Sequence, residues 1–172
     1  VRAAGTDMSG GPLNDSIIID VTKYMKNFDK VEGNTIVSEP GVYFRDLEKY
    51  LDTKDMMYPS YPASKDLCCV GGIVANNSAG EKTLNYGKTE DYIKELQVIF
   101  GDGREYTVKP LTKKELYNKI AQGDFEGDIY KNIFALINEN KDDIKKAKPN
   151  VSKNSAGYYL WNVWDENTQT FD

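Results

Sequence analysis

Two glycine-rich segments constrain this chain more than any other feature. Gly5-Thr6-Asp7-Met8-Ser9-Gly10-Gly11 holds three glycines in seven residues and follows the run Val1-Arg2-Ala3-Ala4, which the pattern predicts as a short strand. Val70-Gly71-Gly72-Ile73-Val74-Ala75-Asn76-Asn77-Ser78-Ala79-Gly80 lies about sixty residues further on. Glycine permits positive φ and carries no side chain, so successive N–H groups can converge on one point and bind phosphate oxygens without a formal positive charge. The first segment is not a Walker loop, because no Gly-Lys-Ser/Thr follows, and its spacing is not the dinucleotide fingerprint. The second predicts one or two helical turns with N–H groups open at the entrance, a ready anion site. Each segment alone reads equally as a tight turn or as a helix packed closely through its glycines. Two of them in one small acidic chain point to a diphosphate held by backbone dipoles rather than by lysines.

Composition closes off most other chemistries. The 172 residues suit one domain or two small lobes, and a 40% hydrophobic content suffices for a core. With 22 basic and 27 acidic side chains the net charge is −5, and no basic run tracks a nucleic-acid backbone. No apolar stretch is long enough for a membrane span, and the start does not read as a signal peptide. Cys68 and Cys69 are neighbours that cannot form an ordinary disulfide, so a reducing, cytoplasmic compartment is expected. The chain contains no histidine. That excludes Ser-His-Asp and Cys-His nucleophiles and histidine-ligated zinc, and no metal site is expected. Chemistry must come from carboxylates, tyrosines, lysines or a bound cofactor. Opening on Val1 and stopping at Phe171-Asp172, the sequence reads as a piece of something longer.

The periodicities place elements around the two segments. Ile17 to Val21 is a β-branched run that predicts a buried strand. Lys30-Val31 and Thr35 to Ser38 flank the turn Glu32-Gly33-Asn34 and predict a hairpin. Phe44, Leu47 and Leu51 share one helical face. Ile93 to Phe100 alternates and turns through Gly101-Asp102-Gly103 into Arg104 to Val108, a second hairpin. Thr112-Lys113-Lys114-Glu115 is a capping box that opens a helix. Asp128 is expected to cap a longer helix whose Ile129, Ile133, Leu136, Ile137 and Ile144 share a face, with Pro149 ending it. Val151 to Asp172 shows no clear periodicity and reads as irregular.

These motifs resemble a known family. Val1 to Gly11 is similar to the first flavin-pyrophosphate loop of FAD-linked oxidases of the vanillyl-alcohol-oxidase (PCMH) type. Pro62-Ala63-Ser64 with Cys69 to Gly80 resembles their second loop. Tyr86-Gly87-Lys88-Thr89 followed by Ile93 to Gly103 resembles the family's strand and Asp-Gly turn. The D-lactate, glycolate and 2-hydroxyacid dehydrogenases are the nearest branch.

The resemblance implies an α+β fold, a two-lobed FAD-binding domain with the cofactor between its lobes, here truncated at both ends. It divides the chain into a flavin-loop core over 1–108, a helical part over 109–150 and a tail over 151–172, with the substrate domain absent. Carried over residue by residue, it makes Arg2, Ala4, Gly5, Thr6, Asp7, Met8, Ser9, Gly10 and Gly11 cofactor-binding in the first loop. In the second it selects Pro62, Ser64, Cys69, Val70, Gly71, Gly72, Asn76, Asn77, Ala79 and Gly80. Cys69 stands where the family usually has threonine. The implied cofactor is FAD, bound non-covalently, and the implied substrate is a small 2-hydroxy acid contacted by another domain. No catalytic residue is expected in this chain, which alone should be inactive.

Other residues have plainer readings. Arg2 suits either the pyrophosphate or an exposed strand end, and Lys82 and Lys88 suit solvated surface. Tyr158, Tyr159, Trp161 and Trp164 suit hydrophobic burial better than flavin stacking. Two readings compete with the dehydrogenase: a UDP-sugar enolpyruvate reductase-like flavoprotein of the same fold, and a non-enzymatic scaffold whose glycine segments are only turns.

Overall fold

A computed structural model describes residues 1–151, 154 and 157–172 and divides into two compact units, Val1–Ile93 and Lys94–Asp172. The architecture mixes helices with small antiparallel sheets, in keeping with an α+β fold.

In the first unit, α1 (Phe44–Asp52) forms where the apolar spacing predicts it, with Phe44, Leu47 and Leu51 buried. Its two flanks feed two clusters. Phe44 packs with Tyr61, Cys68 and Ile73, while Leu47 and Leu51 pack with Val42 and the partly buried Phe28, Val31 and Ile36. The hairpin that delivers Phe28 to Ile36 is held by Asp29 N–H donating to the Val37 carbonyl at 2.9 Å and by a reciprocal Glu32–Thr35 pair. α2 (Val70–Ala75) follows, then a short α3 (Thr83–Tyr86) and a 3-10 turn at Thr89–Tyr92.

The strands expected at Val1–Ala4 and Ile17–Val21 shrink to one parallel bridge between Arg2 and Asp20. Arg2 N–H reaches the Ile19 carbonyl at 2.8 Å, and Val21 N–H reaches the Arg2 carbonyl at 3.1 Å. Only Val21 of that run is buried, and Ile17 is 91% exposed. A β-branched run favours an extended backbone, but burial needs a facing layer, and within this unit none covers Ile17 to Ile19. Val21 is covered because the chain returns over it at Gly41, where a Cβ would stand 2.2 Å from the Val21 carbonyl oxygen.

In the second unit, β1 (Leu96–Ile99) and β2 (Glu105–Val108) pair antiparallel around Gly103 at φ +77°, slightly shorter than the sequence hairpin. β3 (Leu111–Thr112) leads into α4 (Lys113–Ile120). The Thr112 hydroxyl accepts from Glu115 N–H, while Glu115 accepts from Thr112 N–H at 2.8 Å. α5 (Phe125–Glu139) is capped four residues earlier than expected. Asp124, not Asp128, accepts from Gly127 N–H at 2.8 Å. The side chain just outside the first turn reaches the open amides, whereas Asp128 lies inside the helix. The helix also breaks at Asn140, so Ile144 belongs to a separate α6 (Lys141–Ala147).

The tail is more ordered than its sequence suggests. β4 (Trp164–Asp165) and β5 (Thr170–Phe171) join β3 in the order β3-β5-β4. Phe171 is buried with Leu111, Leu116, Tyr130 and Ile137. Ser152, Lys153, Ser155 and Ala156 of the tail lie outside the described residues. Among the described residues no helix is long and apolar enough to cross a membrane.

Candidate functional site

The residues that lead into the first glycine segment meet the start of the second in the first unit. α2 begins after Cys69, in extended conformation, and Tyr43 pairs with Cys69 in an antiparallel bridge that fixes the helix start beside α1. The Ala4 amide points at the Cys69 sulfur. A Cβ built on Gly72 would find Ala3 Cβ at 4.0 Å and nothing nearer. Ala3 and Ala4, just before the first segment, therefore stand against Cys69 and Gly72 at the start of the second. Small side chains on both sides permit the approach.

The first segment is a surface curl. Gly5 and Gly10 take φ of +69° and +75°, values that disfavour any residue with a Cβ. The Asp7 carboxylate accepts from Ser9 N–H at 2.9 Å and from Gly11 N–H at 3.1 Å. Those bonds, Ser9 first and Gly11 next, hold its pKa below the ordinary aspartate range. Among the described residues no protein acceptor serves the N–H groups of Gly5, Thr6, Met8 or Gly10. Beneath the curl, Arg2 Nε lies 3.3 Å from where a Gly5 Cβ would be. That nitrogen is buried without a hydrogen-bond partner, the Asp20 carboxylate standing off at 3.9 Å. A buried guanidinium N–H with no acceptor costs stability unless a ligand or water completes it.

The second segment is mostly occupied with its own fold. At the entrance of α2, Val70 N–H donates to the Val42 carbonyl and Gly71 N–H to the Pro40 carbonyl, both at 2.9 Å. The open helix entrance expected from sequence is thus reduced to the Gly72 N–H, which has no protein acceptor among the described residues. Asn77, at φ +44°, exchanges hydrogen bonds with Glu90, its amide donating at 2.8 Å and its carbonyl accepting from Glu90 N–H at 2.9 Å. Gly80 lies against the Tyr61 carbonyl and Pro62, and Ser64 accepts through its backbone from Leu67 and Cys68. Asn76 is exposed at the end of α2. These positions shape the segment. Ala3, by contrast, lies in the contact itself. Its signal in the sequence is the paired small residues directly before Gly5.

The cysteines are free and buried. Burial pushes the Cys69 thiol up to about 11, adjacent Cys68 adds to the rise, and the Ala4 amide opposes it. Burial also raises Cys68. Both are thiols, not thiolates, at neutral pH.

A diphosphate fits this ground on three counts: unengaged amides from both segments, an orphaned guanidinium nitrogen, and open space at Gly72 that a side chain would fill.

Comparison with known proteins bears on the cofactor. The chain is 26% identical over 173 residues to a D-2-hydroxyglutarate dehydrogenase of Pantoea ananatis, covering 99% of this chain and 17% of that protein. It is 31% identical over 106 residues to the glycolate oxidase subunit GlcD of Bacillus subtilis, covering 59% of this chain and 22% of the subunit. A D-lactate dehydrogenase of Archaeoglobus fulgidus is 27% identical over 116 residues, covering 66% of this chain and 26% of the enzyme. The chain thus spans about a sixth to a quarter of the length of these curated relatives. The model of the FAD binding domain family matches residues 1–109, and the chain belongs to that family of FAD-linked oxidoreductases.

Proposed function

We propose that this chain grips the diphosphate of FAD for a flavoprotein that oxidises a small 2-hydroxy acid such as D-lactate, glycolate or D-2-hydroxyglutarate. The observation that carries the reading is the meeting of Ala3 and Ala4 with Cys69 and Gly72 over an orphaned Arg2 nitrogen. In this reading the N–H groups of Gly5, Thr6, Met8 and Gly10 bind diphosphate oxygens from one side and Gly72 N–H binds from the other. Arg2 offsets the charge from beneath. Cys69 lines the second segment as a neutral thiol, and Pro62, Ser64, Val70, Gly71, Asn76, Asn77, Ala79 and Gly80 hold its shape. When bound, the flavin supplies the redox chemistry, and the protein supplies position and electrostatics.

The domain proposal follows the same lines. Residues 1–108 form the flavin-loop core of a two-lobed PCMH-type domain, 109–150 a helical part and 151–172 its tail. Substrate contacts belong to other parts of a protein as long as the relatives. FAD is held without a covalent bond, since a protonated buried Cys69 is a poor nucleophile.

The test is titration of the purified chain with FAD, followed by flavin fluorescence. Saturable binding with full release of flavin on acid precipitation is expected, and no turnover with D-lactate or D-2-hydroxyglutarate and a dye acceptor. A chain that leaves flavin fluorescence unchanged at every concentration would defeat the proposal.

A further inference from the structure

Among the described residues, the Asp7 carboxylate is the side chain that hydrogen-bonds the backbone of the first glycine segment. Residues Gly5 to Ser9 are exposed, so no packing holds them, and the glycines remove the restraint that side chains would add. Asp7 nevertheless ties residues 7, 9 and 11 together through Ser9 N–H and Gly11 N–H, and Leu13 N–H then closes the exit on the Gly10 carbonyl at 2.9 Å. We propose that Asp7 is a positioning residue that clamps this segment from within, so that the neighbouring amides meet a diphosphate already ordered. The inference rests on the FAD reading above and gives Asp7 a role toward the loop instead of the ligand.

Two observations favour a clamp over an internal competitor that the ligand expels. The curl closes on the carboxylate so tightly that a Cβ at Gly11 would lie 2.7 Å from Asp7 Oδ2. A tetrahedral phosphate is larger than a carboxylate and does not fit that space without opening the curl. The amides left unengaged, those of Gly5, Thr6, Met8 and Gly10, are not the two that Asp7 takes. The ligand thus has donors of its own. Ordering a loose segment at the moment of binding would cost affinity that a preformed one keeps.

The experiment uses the full 172-residue chain, with Asp7→Ala and Asp7→Asn. Amide ¹⁵N relaxation without ligand reads the order of residues 5–13, and calorimetry reads the affinity for FAD and for ADP. Asp7→Ala is expected to make the Ser9 and Gly11 amides as mobile as the chain ends and to weaken both ligands by about tenfold or more. Asp7→Asn keeps an acceptor oxygen, so order and affinity should return to within about threefold of the parent chain. Thermal unfolding should be nearly the same for all three. An Asp7→Ala chain that stays as ordered as the parent, or binds as well or better, overturns the clamp. Asn binding no better than Ala also overturns it. If the parent binds neither FAD nor ADP, the cofactor reading fails and the diphosphate role with it. The relaxation data then decide separately whether Asp7 orders the loop.

Discussion

The two glycine segments use the same residue for opposite reasons. In Gly5–Gly11 glycine supplies conformation: Gly5 and Gly10 curl the backbone through positive φ, and a Cβ on Gly10 would meet nothing within 4 Å. In Val70–Gly80 glycine supplies proximity. A Cβ on Gly71 would stand 2.6 Å from Pro40 Cβ, and one on Gly80 would stand 1.9 Å from the Tyr61 carbonyl oxygen. The first segment is therefore exposed and held by one of its own side chains. The second is pinned against the core of Phe44, Tyr61, Cys68 and Ile73. A site built between them has one wall set by packing and one set by local hydrogen bonds.

The largest test of that contrast is to put a methyl group on each kind of glycine. Gly80→Ala drives a Cβ into backbone that cannot swing aside and should cost about 3 kcal/mol, the upper end for overpacking. Gly10→Ala has open space but an unfavourable φ and should cost about 1–2 kcal/mol, confined to the loop. Thermal unfolding of the two variants measures both. Equal losses would erase the distinction between proximity and conformation.

Much of this arrangement is legible in the sequence where the cause is local. The Thr112–Glu115 box, the Asp-Gly hairpin and the α1 stripe of Phe44, Leu47 and Leu51 each depend on residues within a few positions of one another, and each is where the pattern puts it. Ile17 to Ile19 reads as a buried strand and lies exposed, because burial is conferred by a partner layer and not by the side chain. Phe171 reads as irregular yet closes a sheet with Leu111, a pairing across some sixty residues that no period reveals. The proposed site divides in the same way. Its two segments are visible as glycine clusters, but the amides of Val70 and Gly71 look open in the sequence and are in fact taken by Val42 and Pro40. Those acceptors come from a part of the chain that carries no glycine-loop signal.

Gly72 sharpens the comparison, since it sits in the packed segment yet faces open space beside Ala3. Gly72→Ala should leave stability unchanged or raise it by up to about 1 kcal/mol, the ordinary gain for replacing glycine within a helix. Gly72→Val should change stability by less than about 1 kcal/mol while weakening FAD by about a hundredfold, equivalent to about 2.7 kcal/mol of binding. Paired melting and flavin titrations separate the two effects. A valine variant that binds FAD like the parent would show that the space between the segments is not the diphosphate's.

The smallest effect is electrostatic and singles out the first segment. Asp7 is fully exposed, and its depressed pKa comes first from Ser9 N–H and then from Gly11 N–H, with a smaller loss of hydration opposing. A carboxyl group whose pKa is lower folded than unfolded adds stability above its unfolded value, about 3.9, and loses it as the pH falls through the folded value. The Ser9 and Gly11 amide resonances should therefore hold steady from neutral pH down to about 4 and shift together below it as Asp7 takes up its proton. Asp7→Asn should abolish that transition. The Val70 and Gly71 amides, bonded to the carbonyls of Val42 and Pro40, should not follow it, because a carbonyl acceptor does not titrate. Were all four amides to shift together, acid would be loosening the whole unit. The first wall of the site would then have no independent local support.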